Sequence, residues 1–427
     1  MTMKVLLFKI RGYIAEENRF GYRPWAEMPS KLVLAAAWLE NLGYEVTVRD
    51  DEVYQDDFFG EFDVAVAFVS IADGLYECLD YLRVAKMQGC KTAFALFDDW
   101  ADMQRQVMVD YPFVDFGIRG IDTEFNLGNL IEGLRDGAET GGAGLVWRRG
   151  EEVVDGGPAF QNPENLHYLP SARRWIESLR PDEYEQFSLQ VASGCPFKCT
   201  FCHVGRRSLR FRKVEHVLDE LEAFPDGAEV RMIATDFLAN PEWARSLAEG
   251  IVARNINLRL DTDTRINWLD DRETLKRLKD AGFYKLAFGV ESYHPRILKA
   301  LKKGYSREII DRGIETLIEV GITPGLNMLV GSPLDDDETL AETEGFIRRL
   351  PKEAVLIGVQ YLRATPETEI YDQAVELGLL PDGLLRYQDM VTVRDAPNLP
   401  TKFLSVLEIA TWKKRLENAY FTRAAAA

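Results

Sequence analysis

Short apolar runs alternate with helical patterns along the first 140 residues. The run from Val64 to Val69 is continuously apolar, as expected for a strand buried on both faces of a sheet. This alternation with short connections predicts a doubly wound, Rossmann-like parallel sheet with helices on both faces. Ligands bind such sheets beyond the carboxyl ends of the strands. Further strand-like runs cover residues 5–8, 44–48, 91–97 and 113–118, and the loops that follow strand ends are 9–24, 70–74 and 97–103.

The alternation resumes at residue 186 and continues to about residue 385. Strand-like runs cover residues 187–191, 229–233, 258–261, 285–289, 323–330 and 355–361, with helical segments between them. Six such βα units predict a partial (β/α)6 barrel, shorter than the closed eight-unit form. The segment 141–185 is rich in Gly, Pro and Asn and suggests a linker with a small hairpin at Arg149-Gly150. The predicted domains are therefore 1–140, 141–185 (linker), 186–385 (barrel) and 386–427 (a short helical C-terminal segment).

Composition narrows the class of protein. A chain of 427 residues suggests two or three domains. With 46% hydrophobic and 28% charged residues it has the composition of a globular protein. No apolar run is long enough to span a membrane, and the start lacks the features of a signal peptide, so we expect a cytoplasmic protein. The formal net charge of −18 argues against a nucleic-acid partner.

Three of the five cysteines lie within eight residues. Cys195, Cys199 and Cys202 form a C-x3-C-x2-C pattern directly after a predicted strand. A tight, odd-numbered group favours a metal site over disulfides, and thiolates suit zinc or iron–sulfur clusters. Structural zinc needs four ligands, and His203, which directly follows Cys202, is awkwardly placed as the fourth. An iron–sulfur cluster is the favoured interpretation, with zinc and inert buried thiols as the alternatives.

This motif, on the loop after the first strand of a six-unit barrel, resembles the radical S-adenosylmethionine (radical SAM) superfamily. The resemblance implies a [4Fe-4S] cluster held by the three cysteines, whose open iron chelates the amino and carboxylate groups of SAM. One electron then cleaves the sulfonium and yields a 5′-deoxyadenosyl radical, which abstracts hydrogen from a substrate. It also implies a flavodoxin- or ferredoxin-type electron donor. The cofactor carries the difficult chemistry, and the protein orients it.

The same resemblance assigns roles in SAM binding to five further positions. Phe201 stands where the family has an aromatic residue covering adenine and cluster. Thr235 and Asp236 match a polar strand end near the SAM amino group. Arg265 matches the basic residue that pairs with the SAM carboxylate, a task that suits a guanidinium. Glu291, in Gly-Val-Glu-Ser, matches a strand-end glutamate near the ribose or the methionine part of SAM. The structural alternatives are a solvated turn for 235–236 and a surface arginine at 265.

The front domain resembles the cobalamin-binding subclass of the superfamily. Ser70, after the third strand, matches a serine that approaches the lower face of cobalamin. None of the four histidines lies in this domain, so no axial histidine is available, and Phe97-Asp98-Asp99-Trp100 is bulky and acidic where the subclass often has a glycine pair. With cobalamin, the resemblance implies methyl transfer to an unactivated carbon. Tyr293 and Tyr361 are the candidate catalytic contacts to substrate at the barrel mouth, although Tyr361 equally fits a core aromatic.

Three functions remain open at this stage. The first is a cobalamin-dependent radical SAM C-methyltransferase, acting on a small molecule or on a peptide or protein side chain; a glutamine C-methylase is one such family. The second is a radical SAM enzyme for rearrangement or oxidation that does not use cobalamin and keeps a degenerate N-terminal domain. The third is a non-catalytic protein stabilised by zinc or by a cluster. Iron content and SAM cleavage distinguish the third from the first two.

Overall fold

A computed structural model describes most of the chain and divides it into two compact units. Unit 1 comprises Met1–Ser193, Arg210–Ala228 and Arg386–Thr392; unit 2 comprises Gly194–Leu209, Glu229–Leu385 and Val393–Ala427. The residues that the structure describes are 2–10, 28–51, 60–69, 75–96, 101–120, 122–137, 140–157, 165–179, 181, 184, 186–380, 387, 397 and 399–423.

The strands are β1 Lys4–Lys9, β2 Glu45–Asp50, β3 Val64–Val69, β4 Lys91–Leu96, β5 Phe116–Ile118, β6 Leu145–Arg149, β7 Glu152–Asp155, β8 Phe187–Gln190, β9 Ala192–Cys195, β10 Arg207–Phe211, β11 Glu229–Ile233, β12 Arg259–Asp263, β13 Phe283–Glu291, β14 Thr323–Val330 and β15 Val355–Tyr361. The helices are α1 Ser30–Asn41, α2 Leu75–Met87, α3 Ala101–Asp110, α4 Thr123–Arg135, α5 Arg173–Ser178, α6 Val214–Leu221, α7 Pro241–Ala253, α8 Arg272–Asp280, α9 Pro295–Ala300, α10 Arg307–Val320, α11 Asp337–Arg348, α12 Glu369–Glu376 and α13 Val406–Thr422.

Unit 1 is built on a seven-stranded sheet in the order β2-β1-β3-β4-β5-β6-β7. The first five strands are parallel, and β6 and β7 add to the β5 edge as an antiparallel hairpin. The order 2-1-3-4-5 is one of the common doubly wound arrangements, whose ligand site lies where the strand order reverses, between β1 and β3. The Rossmann-like prediction is confirmed. The hairpin predicted for the linker is present, and it extends this sheet.

One core of unit 1 covers a single face of the sheet. Alternate residues of β1 and β3, among them Phe8 and Ala67, pack against Leu79 and Leu82 of α2. All six residues of β3 are buried, as the unbroken apolar run predicts for a central strand. Ser70 lies outside the described residues, as do the loop segments 11–27 after β1, 70–74 after β3 and 97–100 after β4.

Unit 2 contains the parallel strands β11 to β15, which pair in sequence order. Helix α8 shows why the connecting segments fold as helices. Asp271 caps its first turn by accepting a 3.1 Å hydrogen bond from the Thr274 N–H, and Leu275 and Leu278 are buried on one face. Sequential parallel strands joined by helices agree with the predicted barrel units. The first predicted barrel strand is present as β8, which clusters with unit 1.

The predicted helical C-terminal segment is present as α13, which packs on α11. Ser405 and Glu408 form a capping box at its start. The Trp412 indole N–H donates to Asp337 at 2.8 Å, and Arg415 pairs with Glu344 at 2.6 Å. Among the described helices, none combines the length and the apolar composition that a membrane crossing requires.

Candidate active site

The cysteine loop, residues 195–206, begins where β9 ends. Gly194 precedes it at φ +89°, and a Cβ at that position would overlap the Ser208 carbonyl, so only glycine fits there. Cys195, Cys199 and Cys202 are all partly exposed, and none forms a disulfide. Each is close enough to another of the three to interact with it electrostatically. The fold therefore gathers the three thiols that the sequence pattern singled out.

Backbone hydrogen bonds close the cysteine loop on itself and onto its neighbours. The Arg206 N–H donates to the Phe197 carbonyl at 2.8 Å, and the Cys202 N–H donates to the Cys199 carbonyl at 3.2 Å. Thr200 ties the loop to two helices: its N–H donates to the Leu301 carbonyl just after α9, and its carbonyl accepts from the Ile370 N–H in α12. The thiols are thus held on a braced loop.

The thiols are partly buried, and backbone N–H groups point at two of the sulfurs, a setting that suits thiolates bound to a positively charged metal group. Burial raises the pKa of both Cys195 and Cys202, while backbone N–H groups of Phe197, Val204 and Gly205 point at their sulfurs and favour the thiolates. Hydrogen bonds to cysteine sulfur are one of the means by which proteins tune iron–sulfur clusters.

The three thiols have the ligand chemistry of a cubane cluster. Within the described residues, no three His, Cys, Asp or Glu side chains converge closely enough to hold one metal ion. In a cubane each cysteine ligates a different iron, so its ligands need not converge on one point. The Nε2 of His203, the residue after Cys202, is engaged by the Thr365 hydroxyl.

Arg265 follows the end of β12 and lies against the cysteine loop. Its Nη1 is 3.6 Å from the Cys199 sulfur, and its guanidinium carbon is 3.7 Å from the centre of the Phe197 ring. The side chain is buried, and its Nη2 donates to the Lys303 carbonyl. Its Nε has no hydrogen-bond partner among the residues that the structure describes. A buried donor of this kind calls for an acceptor that a bound group would supply.

Asp236 holds Arg265 in place. Its carboxylate accepts hydrogen bonds from the backbone N–H of Arg265 at 3.1 Å, the Thr264 hydroxyl at 3.1 Å and the Trp268 indole N–H at 2.9 Å. Burial raises the pKa of this carboxyl against the effect of these donors. Both carboxylate oxygens are occupied, so the structure gives Asp236 a positioning role beside the role in SAM binding that the sequence predicts.

Lys303 supplies a second buried cation. Its ammonium donates to Glu291 at 2.9 Å and lies 5.7 Å from the centre of the Phe201 ring in the cysteine loop. Burial lowers the pKa of Lys303, but Glu291, Tyr305 and Cys199 together outweigh this effect, so the pKa lies above its ordinary value. Two permanent positive charges, on Arg265 and Lys303, thus adjoin the thiols.

The end of β13 is shaped around this ion pair. Glu291 has φ +64°, a left-handed conformation that a non-glycine residue adopts at a cost. A Cβ at Gly289 would overlap the Glu291 carboxylate. Tyr305 completes the site: its hydroxyl donates to the Gly289 carbonyl, its ring lies 5.7 Å from the Lys303 ammonium, and burial raises its pKa to about 12.

The structure brings together only part of the predicted set of residues. Phe201, Asp236, Arg265 and Glu291 lie in this site, and the Thr235 hydroxyl donates to the Gly194 carbonyl beside Cys195. Ser70 lies outside the described residues.

Tyr293 has a different environment. It is buried, it stacks on Phe346 at 4.2 Å, and its hydroxyl donates to Asp311 at 2.7 Å. These contacts engage both the ring and the hydroxyl of Tyr293, and its contact with substrate stays a prediction. Tyr361 is half-buried at the end of β15, with the Lys413 ammonium 5.0 Å from its ring centre. Its contact with substrate stays a prediction.

Phe197, Lys303 and Tyr305 were missed by sequence reasoning. Lys303 and Tyr305 come after α9, away from any strand end, so the rule that ligands lie beyond strand ends did not reach them. The signal that was present is the pair of basic residues Lys302-Lys303 followed by Gly304. Phe197 lies inside the cysteine motif, but nothing in the sequence indicates that its ring packs against Arg265.

Comparison with known families identifies this region. The model of the radical SAM superfamily matches residues 189–347, which include the cysteine loop, Arg265, Glu291 and Lys303. The chain carries a radical SAM domain. Proteins with this domain are enzymes that use a [4Fe-4S] cluster and SAM, and the donor set described above fits both groups.

Curated relatives of this chain include several proteins named as methyltransferases. An uncharacterized methyltransferase of Pyrococcus horikoshii is 27% identical over 64% of this chain and 61% of its own length. A putative methylthiotransferase of Methanocaldococcus jannaschii is 25% identical over 70% of this chain and 66% of its own length. The hopanoid C-2 methylase of Rhodopseudomonas palustris is 26% identical over 45% and 38%. The chain thus spans less than two thirds of each of these relatives.

Two solved structures match nearly the whole of this chain. The methyltransferase TsrM from Kitasatospora setae, with cobalamin and a [4Fe-4S] cluster bound, superposes with a TM-score of 0.68 at 17% identity, covering 97% of this chain and 82% of its own. OxsB, with aqua-cobalamin and SAM bound, gives a TM-score of 0.75 at 16% identity, covering 99% and 66%. At these identities the likeness establishes the fold, that of a Rossmann-like domain combined with a radical SAM barrel.

Proposed function

We propose that this chain is a cobalamin-dependent radical SAM C-methyltransferase acting on an unactivated carbon. The observation that carries the proposal is the cysteine loop flanked by the buried cations of Arg265 and Lys303, in a chain that also contains a 2-1-3-4-5 parallel sheet. The radical SAM family model accounts for the first feature. Structures that contain cobalamin match the chain over nearly its full length and support the second.

The three cysteines would ligate the cluster, and the residues around Arg265 would orient SAM. When bound, these groups supply a carbon-centred radical able to remove hydrogen from an unactivated position. The buried Nε donor of Arg265, which has no hydrogen-bond partner in the described part of the chain, suits a carboxylate. Glu291 is fixed by Lys303 and presents a carboxylate at the end of β13. The share of the protein is to hold and align these groups, because proximity is a large part of catalysis.

The cobalamin site would lie at the carboxyl ends of the parallel strands of unit 1. The switch point between β1 and β3 is where doubly wound sheets of this order bind their ligand. Ser70, which directly follows β3, is the proposed contact to the lower face of the corrin. The absence of histidine from residues 1–140 means that this site provides no axial imidazole.

The names of the relatives bear on the kind of substrate. The relatives named above include a methylase of hopanoids, and others are named as bacteriochlorophyllide methyltransferases, whose substrates by name are large ring systems. A small molecule, or a peptide or protein side chain, stays a prediction for this chain. Tyr361, at the end of β15, is the proposed contact to substrate.

Anaerobic reconstitution tests the cluster. We expect about four irons per chain, a brown protein, and cleavage of SAM after reduction by dithionite. The triple variant C195A/C199A/C202A should lose all three properties, while C78A/C90A, which removes the two cysteines outside the motif, should keep them. A colourless protein with one bound zinc would contradict the proposal.

Retention of cobalamin tests the methyltransferase assignment. After incubation with hydroxocobalamin and gel filtration, the protein should keep the visible spectrum of cobalamin at close to one equivalent. The variant Ser70→Trp places a bulky side chain at the proposed contact to the corrin, so it should reduce this retention. SAM cleavage should persist in this variant. An intact cluster without retained cobalamin would instead indicate a radical SAM enzyme for rearrangement or oxidation.

A further inference from the structure

A group of exposed cations surrounds the cysteine loop on unit 2. Lys198 lies between Phe197 and Cys199 and is exposed. Arg206 ends the loop, with its side chain 60% exposed, and its N–H donates to the Phe197 carbonyl in the same peptide group as the Lys198 nitrogen. Lys302 is 50% exposed directly after the segment that accepts a hydrogen bond from Thr200. We call Lys198, Arg206 and Lys302 the basic patch.

Two members of the basic patch are fixed in position by one carboxylate. The Arg206 Nη2 lies 3.1 Å and the Lys302 Nζ lies 2.6 Å from oxygens of Glu369, at the start of α12. Both residues have left-handed backbones, with φ +67° and +53°. A non-glycine residue adopts that conformation at a cost, so the local structure specifies both positions closely. The two cations therefore form a defined feature of the surface beside the loop.

The basic patch contrasts with the charge of the whole chain. With 69 acidic and 51 basic residues, the protein as a whole repels an acidic partner. The basic patch adjoins one of the three cysteines through the backbone, because Gly205, which precedes Arg206, directs its N–H at the Cys202 sulfur. A local positive surface on a negative protein steers an acidic partner to that one place and orients it there.

We propose that the basic patch is the docking surface for an acidic one-electron carrier protein of the flavodoxin or ferredoxin class. The carrier passes one electron to the oxidised cluster; the carrier is oxidised, the cluster is reduced, and no bond is formed or broken. This inference rests on the proposed function, because it needs the cluster on Cys195, Cys199 and Cys202. Lys198 directly precedes Cys199, and the Arg206 N–H donates to the Phe197 carbonyl, so the basic patch includes residues of the loop that carries the thiols and the electron has a short path.

The test uses the full reconstituted chain and reduced flavodoxin as the probe. Stopped-flow absorbance follows bleaching of the cluster as flavodoxin concentration varies, and the slope gives the second-order rate constant. The variant R206E/K302E should lower that constant roughly tenfold at low ionic strength, and added salt should shrink the difference. The matched control K276E/K279E, on the exposed face of α8, changes the net charge equally and should stay within about twofold of the wild-type rate.

Two further measurements separate docking from loop structure. Iron content and the end point of reduction by excess dithionite should be the same in all variants, which shows an intact cluster. Glu369→Gln breaks both ion pairs but keeps both cations, so it should reduce at the wild-type rate or faster. The proposal is overturned if R206E/K302E reduces normally, if K276E/K279E slows equally, or if E369Q slows as much as the charge reversal. Failure to assemble any cluster would instead count against the proposed function.

Discussion

Lys303 and Glu291 form a buried ion pair whose two side chains are 7% and 10% exposed, with nitrogen and oxygen 2.9 Å apart. The adjacent residue, Lys302, makes an ion pair of similar length with Glu369, but its side chain is half exposed. Two lysine–glutamate ion pairs thus involve adjacent lysines, and one pair is buried while the other is partly exposed to solvent. Since the energetics of ion pairs depend mainly on burial, the two pairs give a matched comparison.

Lys303→Met should destabilise the metal-free chain by about 3–5 kcal/mol, because it leaves the Glu291 carboxylate buried without a partner. Lys302→Met should cost no more than about 1 kcal/mol, the usual range for an exposed pair. Unfolding by urea, followed by fluorescence, measures both. The double variant K303M/E291Q should recover most of the loss, since it buries no unpaired charge. Equal losses for K303M and K302M would show that burial does not govern the Lys303 pair.

Asp236→Asn should weaken SAM binding by about tenfold, equivalent to about 1.4 kcal/mol. An amide offers one acceptor oxygen where the carboxylate accepts three hydrogen bonds, and its NH2 group would face a donor, so Arg265 would lose its position. Equilibrium dialysis with labelled SAM on reconstituted protein measures the dissociation constant. Asp271→Asn is the matched control: it keeps a good cap on α8 and should leave SAM binding unchanged. Unaltered SAM affinity in D236N would contradict the positioning role.

The sequence alone was enough to predict the strands and to single out the three cysteines that the fold gathers on one loop, but it did not reveal the environment of β13. Apolar runs such as 64–69 announce buried strands because burial on both faces leaves no polar position. Tyr293 shows the limit of this reasoning. Strand periodicity fails at Glu291, whose left-handed backbone redirects the chain, so the ring of Tyr293 stacks on Phe346 of α11. Only the three-dimensional structure shows that Lys303 reaches back to this turn.

Gly289→Ala should destabilise the chain by about 1–3 kcal/mol, the usual cost of overpacking a filled site. The added methyl group would overlap the Glu291 carboxylate, which cannot move without breaking its bond to Lys303. Gly345→Ala serves as the control, since its new methyl group would make only an ordinary contact with the Arg349 side chain on the exposed side of α11 and would raise helix propensity. It should leave stability unchanged or raise it by up to about 1 kcal/mol. Thermal unfolding measures both, and a neutral G289A would refute the close fit around Glu291.

Glu124, at the start of α4 in unit 1, gives the chain a pH dependence that is separate from the cluster. Burial raises the pKa of this carboxyl from 4.5 to about 7, opposed by Lys31 and Arg212 and reinforced by Asp122. Its Oε1 has no hydrogen-bond partner among the described residues, and the Tyr168 ring packs nearby on Trp38 and Phe125. The folded chain therefore holds a proton here that the unfolded chain releases above its own, lower pKa.

The sign of the effect follows from this difference in bound protons. Between pH 4.5 and 7 the folded state binds more protons at Glu124 than the unfolded state, so stability falls as the pH rises, by about 3 kcal/mol in total. Glu124→Gln stays neutral and should match the wild type at pH 5 but exceed its stability at pH 8. Urea unfolding of the metal-free chain at both pH values measures this, with Glu215→Gln, an exposed residue of α6, as the control that should follow the wild type. Parallel pH profiles for E124Q and the wild type would show that Glu124 does not titrate in this range.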